Sequence, residues 1–101
     1  MSEANTAPDE KRYFCYMLAC VNGAFYTGWT TDPERRFKQH CSGKGSSYTK
    51  MNPPLKIAYI EQKENRHDAM IRELELKKLP HRKKKDLALL WEENRRMEDP
   101  Q

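Results

Sequence analysis

Residues 13–29 read YFCYMLACVNGAFYTGW, and this stretch decides the fold. Tyr13 to Val21 is a nearly continuous apolar run, Asn22-Gly23 is a turn signal, and Ala24 to Trp29 is a second short run rich in aromatic residues. Together they predict a β-hairpin. Loop length sets its register. A two-residue Asn22-Gly23 loop pairs Val21 with Ala24 and puts Tyr16 and Tyr26 on opposite faces. A three-residue loop, Val21 to Gly23 with Gly23 left-handed, pairs Cys20 with Ala24 and Leu18 with Tyr26, so that both tyrosines share one face. The sequence admits either loop.

Working outward, Thr31-Asp32-Pro33-Glu34 starts a helix: Thr31 and Glu34 have capping-box spacing, and proline is tolerated in the first turn. The helix is expected to end near Cys41, where Ser42 to Ser47 breaks it. Pro53-Pro54 leads into a third strand, Leu55 to Glu61, with Leu55, Ile57 and Tyr59 alternating. From Arg66 to Leu79, Met70, Ile71, Leu74 and Leu79 recur at helical spacing, and Pro80 ends or kinks that helix. A last helix begins near His81, with Leu87, Leu89, Leu90 and Trp91 as its apolar residues. The order β-β-α-β-α-α describes an α+β domain, a small three-stranded antiparallel sheet flanked by helices. Its expected extent is residues 12–91, between a flexible tail over 1–11 and a polar C-terminal tail over 92–101.

A chain of 101 residues supports one modest core. The formal net charge is +4, and the first ten residues hold three acids (Glu3, Asp9, Glu10) and no base, which leaves +7 for the rest. Such a surface favours polyanions. Cys15, Cys20 and Cys41 are odd in number and lack CxxC spacing, which argues against a disulfide framework or a zinc site and for reduced core thiols. No apolar stretch approaches the ~18 residues of a membrane span, so the expectation is a cytoplasmic protein with no membrane partner.

Phe14-Cys15-Tyr16, Tyr26-Thr27-Gly28, Arg36, His40 and Glu73, read together, resemble the GIY-YIG nuclease family. The stretch Tyr26–Gly45, YTGWTTDPERRFKQHCSGKG, is most similar to the small single-domain bacterial members, sometimes called YhbQ-like. Three positions depart from the family pattern: Phe14-Cys15 stands for Gly-Ile, and Thr27 for the middle isoleucine. The resemblance implies a metal-dependent DNA endonuclease that leaves 5′-phosphate and 3′-hydroxyl ends and acts on branched or damaged DNA in repair or recombination. It implies a catalytic set of Tyr16, Tyr26, Arg36, His40 and Glu73. Tyr16 is the first choice of general base, and Tyr26 shares that role or binds the attacking water. Arg36 stabilises charge on the phosphate, and His40 orients a tyrosine or a phosphate. Glu73, with Glu75 as the competing choice, holds Mg²⁺ or Mn²⁺.

Spacing alone adds that Arg36 and His40, four apart, lie on one helix face, with Arg35 turned about 100° away. Lys44, Ser46, Tyr48 and Lys50 read as a mobile phosphate-contacting loop, and Lys77, Lys78, Arg82 and Lys83 as a basic surface for DNA. Gly43-Lys44-Gly45-Ser46 lacks the glycine spacing of a nucleotide-binding loop, so no nucleotide cofactor is expected.

Each residue also has an ordinary role. Tyrosines fill strands, Arg36 decorates a solvated helix, His40 sits near a helix C-terminus, and Glu73 pairs with Lys77 one turn on. A non-catalytic nucleic-acid-binding module and a protein-interaction adaptor therefore stand as alternatives. Oligomeric state is not legible in the sequence.

Overall fold

A computed structural model describes residues 12–98. The tail expected over 1–11 therefore lies outside the described residues. The elements are β1 (Tyr13–Cys20), β2 (Phe25–Thr30), α1 (Pro33–Cys41), α2 (Ser47–Met51), β3 (Pro54–Lys63), α3 (Arg66–Lys78) and α4 (His81–Glu98). They form the expected α+β domain, with one addition: the short helix α2 makes the order β-β-α-α-β-α-α. Both partners of β1 run antiparallel to it, and the strand order is β2-β1-β3.

The hairpin takes the three-residue loop. Cys20 N–H donates to Ala24 O at 2.9 Å and Gly23 N–H donates to Cys20 O at 2.9 Å, with Gly23 at φ +87°. Leu18 then faces Tyr26, and Tyr16 faces Gly28. By the two-residue period of the pleat, Tyr16, Leu18, Tyr26 and Gly28 share one face of the sheet, while Cys15, Met17, Thr27 and Trp29 share the other.

The third strand departs from simple alternation. Met17 lies opposite Tyr59 but Leu18 lies opposite Ile57, a register shift that turns Tyr59 and Ile57 to opposite faces. A second shift between Ala19 and Cys20 accompanies Leu55, which stays exposed. Leu55, Ile57 and Tyr59 were expected on one face, but sequence alternation cannot register an inserted residue.

Helices cover both faces. On the Cys15 face, α3 approaches closely enough for the Cys15 thiol to donate to Ala69 O at 3.0 Å, and Cys15, Ala69 and Leu76 form a fully buried cluster against Tyr13, Trp29, Tyr59, Leu79 and Leu87. The close approach needs the small side chain of Ala69. It also rotates the expected apolar stripe outward, so Met70, Ile71 and Leu74 are exposed. Arg72 instead reaches inward to Glu61 at 3.0 Å, and Glu61 also accepts from Tyr59 at 2.6 Å and pairs with Lys63.

On the Tyr16 face lies α1. Its N-cap is Asp32, which accepts from the Arg35 N–H at 3.2 Å, so the cap sits one residue beyond the expected Thr31, with Pro33 at the start of the helix. The helix closes on Gly43 at φ +81°, where Gly43 N–H bonds His40 O and Lys44 N–H bonds Gln39 O, satisfying two terminal carbonyls. Cys41 is exposed at this end, unlike the core thiols Cys15 and Cys20.

Ser46 accepts from the Thr49 N–H and caps α2, which makes the expected mobile loop ordered helix from Ser47 onward. The last helix continues beyond Trp91 to Glu98, supported by Arg96–Glu92 at 3.2 Å and by Arg95 over the Trp91 ring. Much of the stretch read as a polar tail is therefore helical. Leu89 and Leu90 are exposed on α4, although they were counted among its apolar residues. Among the described residues no helix is long and apolar enough to cross a membrane.

Gly23 tests the hairpin register, since no atom lies within 4 Å of a β-carbon added there and only the backbone conformation opposes one. Gly23→Ala is expected to lower the unfolding free energy by about 1 kcal/mol in urea titration. Gly23→Asn, which tolerates the left-handed region, should lose less.

Candidate functional site

The three-residue loop brings Tyr16 and Tyr26 to one face, and α1 lays His40 against both. The Tyr16 hydroxyl is 2.9 Å from His40 Nε2, and the Tyr26 and His40 ring centroids are 4.9 Å apart. His40 is fully buried, and Tyr16 nearly so. Two glycines make room. A β-carbon on Gly28 would meet the Tyr16 hydroxyl at 2.6 Å, so the phenol lies across Gly28 toward the edge strand β2. A β-carbon on Gly45 would run into the His40 ring at Nδ1.

Arg36 sits one turn before His40 and is held twice: it donates to Gln39 Oε1 at 2.8 Å and to Gly45 O at 2.9 Å. These bonds use two of the five guanidinium N–H groups and fix the plane of the rest. At the β2 edge a cleft of about 360 Å³ is lined by Trp29, Thr30, Asp32, Arg35, Arg36 and Gln39. Arg66 lies 5.5 Å over the Trp29 ring. Arg35, though turned from Arg36 on the helix, therefore lines the same cleft. A larger groove of about 630 Å³ between β3 and α4, lined by Phe25, Phe37, Ile57, Ala88 and Trp91, contains none of the candidate residues.

Burial shapes the electrostatics. The Tyr16 phenol is pushed up to about 12, first by desolvation and further by Tyr26 and the negative charge of Glu73, while Arg36 acts in the opposite sense. His40 is lowered to about 4, by desolvation and by the nearby Arg36 cation. At neutral pH the pair is therefore a protonated phenol against a neutral imidazole.

Glu73 stands apart from the other four. It belongs to α3, on the Cys15 face of the sheet, and its carboxylate pairs with Lys77 at 3.0 Å, the one-turn pairing that spacing alone suggested. Yet its side chain is only 18 % exposed, and its charge acts on both Cys15 and Tyr16. Glu75 points elsewhere: it pairs with Arg72 at 3.1 Å and is mostly exposed. Among the described residues no three His, Cys, Asp or Glu side chains cluster as a metal cage. The donor set is thus a single hard carboxylate whose charge reaches Tyr16. It fits a largely hydrated divalent ion such as Mg²⁺, which commonly takes one or two protein carboxylates plus phosphate oxygens, and it does not fit a closed transition-metal site.

The residues read as nucleic-acid contacts divide. Ser46 is committed to capping α2. Tyr48 is partly exposed, stacks on Tyr26 with centroids 6.1 Å apart and rings at 21°, and accepts from Asn22 Nδ2 at 2.8 Å. Lys44 and Lys50 are exposed, as are Lys78, Arg82 and Lys83, while Lys77 is engaged by Glu73.

Sequence reasoning missed Thr49, fully buried with its hydroxyl 2.7 Å from His40 Nδ1, and the role of Gly45 in seating the same ring. The signal was the proximity of Gly45 to His40 along the chain, but it was read only against a phosphate loop. Thr27 carries a buried hydroxyl with no hydrogen-bond partner, at the position where the resembled family has an apolar residue.

Known proteins resemble this chain in sequence and in fold. The family model described as GIY-YIG catalytic domain matches residues 12–86. A UPF0213 protein of Halalkalibacterium halodurans, BH0048, is 41% identical over 78 residues, covering 77% of this chain and 83% of that protein. The UPF0213 protein PA3854 of Pseudomonas aeruginosa is 40% identical and covers 88% of each chain. The solution NMR structure of EF2693 from E. faecalis superposes with a TM-score of 0.52 at 39% identity, over 75% of this chain and 81% of that one.

Burial of neutral His40 should make stability depend on pH. Its folded value lies below the unfolded value of 6.5, so the unfolded chain takes up the proton first. The stabilisation is complete above pH 6.5 and is lost as pH falls toward 4, by about 3 kcal/mol in urea midpoints converted to free energy. His40→Gln should flatten the dependence across that window.

Proposed function

For a chain that belongs to the GIY-YIG catalytic-domain family, and within it to the small UPF0213 proteins, we propose metal-dependent hydrolysis of phosphodiester bonds in DNA. The observation that carries this reading is the convergence of Tyr16, Tyr26 and His40 with a doubly held Arg36 beside a cationic cleft. The family membership supports a nuclease-like activity. DNA as substrate, its branched or damaged form, and the assignment of individual roles are the proposal.

In this mechanism the cleft binds a backbone phosphate against Arg36 and Arg35. Arg36, already oriented by Gln39 and Gly45, stabilises the charge that builds on the phosphoryl oxygens, which suits a planar, permanently charged donor fork. Water attacks phosphorus in line with the departing 3′ oxygen, Tyr16 as its phenolate takes the water's proton, and solvent protonates the 3′ oxygen as its bond to phosphorus breaks. The products carry 5′-phosphate and 3′-hydroxyl ends. Tyr26 borders the same face and hydrogen-bonds the attacking water, while His40 holds the Tyr16 oxygen in place.

A phenol near 12 is ionised in only about one molecule in 10⁵ at pH 7, so cationic charge must favour the phenolate. Mg²⁺ or Mn²⁺ held by Glu73 would supply that charge and neutralise the phosphate. Lys77 engages one carboxylate oxygen of Glu73, which leaves the other for the ion. Lys44, Tyr48, Lys50, Lys78, Arg82 and Lys83 contact flanking backbone without reading bases, which implies recognition of strand structure over sequence. The Glu73–Lys77 pair equally suits a module that binds nucleic acid without cutting it, so Mg²⁺-dependent cleavage separates the two readings.

Linear, nicked, flapped and four-way DNA, with and without Mg²⁺, provide the test. Wild type should cleave at least one of them with Mg²⁺ only, at a rate rising with pH because the base must be deprotonated. Tyr16→Phe, Arg36→Ala and Glu73→Ala should each lower kcat by about 10² or more. Cleavage indifferent to all three substitutions, or binding without cleavage, would contradict the assignment.

A further inference from the structure

We propose that Thr49 is a positioning residue of this site: its hydroxyl donates to His40 Nδ1 and so holds the imidazole as the tautomer whose Nε2–H faces the Tyr16 oxygen. A chain of short contacts carries the inference. Ser46 Oγ is 2.9 Å from Thr49 Oγ1, Thr49 Oγ1 is 2.7 Å from His40 Nδ1, and His40 Nε2 is 2.9 Å from the Tyr16 hydroxyl. Thr49 and His40 are both fully buried, so solvent supplies neither with a substitute partner.

A neutral imidazole carries one N–H, and two proton arrangements satisfy these contacts. In one, Ser46 donates to Thr49, Thr49 donates to Nδ1, and Nε2–H donates to Tyr16. In the other, every bond is reversed, and the Thr49 proton must go to Ser46. Ser46 Oγ already accepts the Thr49 N–H at 3.1 Å as the helix cap, and Ser46 O is 3.4 Å from Thr49 Oγ1, at the limit of a useful bond. In the first arrangement Ser46 Oγ accepts once and donates once, whereas in the second it must accept twice or leave the Thr49 proton to the longer Ser46 O contact.

The choice has a chemical consequence that rests on Tyr16 acting as the base. A phenolate is stabilised by an N–H at Nε2 and repelled by a lone pair there. The hydroxyl of Thr49, two side chains from the reacting atoms, thus makes the ionised form of Tyr16 attainable. The charged and titratable groups that act on Tyr16 from the neighbouring elements, Arg36 on α1, Tyr26 on β2 and Glu73 on α3, are untouched by a change at Thr49.

The tautomer is read directly by long-range ¹H–¹⁵N NMR of the imidazole in the full chain. His67 and His81 are exposed, and replacing both by glutamine leaves His40 as the sole ring signal. The expected result is a protonated Nε2 and an unprotonated Nδ1. Thr49→Val should move both nitrogens toward intermediate shifts, and Thr49→Ser should restore them. If cleavage is present, kcat of Thr49→Val should fall about tenfold with KM unchanged.

A proton on Nδ1 in the unsubstituted ring would overturn the inference, and this reading needs no change at Thr49 and so no variant that must fold. A Thr49→Val ring identical to wild type would also overturn it. The expected signature without cleavage of any DNA would support the tautomer assignment while removing the nuclease reading. Cleavage with Nδ1 protonated would do the reverse.

Discussion

The hydrogen bond between the Tyr16 hydroxyl and His40, buried between β1 and α1, is the interaction on which the rest of the arrangement depends. It ties the first helix to the central strand, and it places the two side chains of greatest chemical interest in contact. Several otherwise unremarked features serve it. Gly28 yields the space the phenol occupies, and Gly45 yields the space for the imidazole. Asp32 and Pro33 set where α1 begins, and Gly43 sets where it ends, so that His40 falls in its last turn. The three-residue hairpin loop is equally necessary, because a two-residue loop would turn Tyr26 to the opposite face.

Burial gives this pair its resting character and also its difficulty. A protonated phenol and a neutral imidazole are what a desolvated site favours, and both are far from the charged forms that proton transfer involves. In the proposed reaction a phosphate and a divalent ion would bring opposite charges to the cleft beside Arg36, and the balance at Tyr16 would depend on how those charges and Glu73 are arranged. Glu73 lies on α3, with its carboxylate engaged by Lys77.

Much of this was legible in the sequence because it follows from local chemistry. The apolar runs flanking Asn22-Gly23 specify a hairpin, Asp32-Pro33 specifies a helix start, and four-residue spacing puts Arg36 and His40 on one helix face. What was not legible depends on contacts between distant segments. The bulges of β3 arise from pairing with β1 and cannot be counted along one strand, so Tyr59 and Ile57 were assigned a common face. The rotation of α3 is set by the small Ala69 against Cys15 and by Arg72 reaching Glu61, which outweigh exposing Met70, Ile71 and Leu74. Thr49 escaped notice for the same reason, since its partner lies on another helix. Residue types and spacings indicated the family, but the relation of Glu73 to the other four residues required the fold.

The central claim is that Glu73, although carried by α3, belongs to one site with Tyr16 and the Arg36 cleft. Titration of the ¹⁵N-labelled chain with substoichiometric Mn²⁺ addresses it directly, because the ion broadens the resonances nearest to it. A single site predicts that the amides of Tyr16, Gly28, Trp29, Arg36 and Glu73 broaden together, and that Glu73→Gln abolishes the effect. Broadening confined to α3 around Glu73 and Lys77, or unchanged by that substitution, would contradict it.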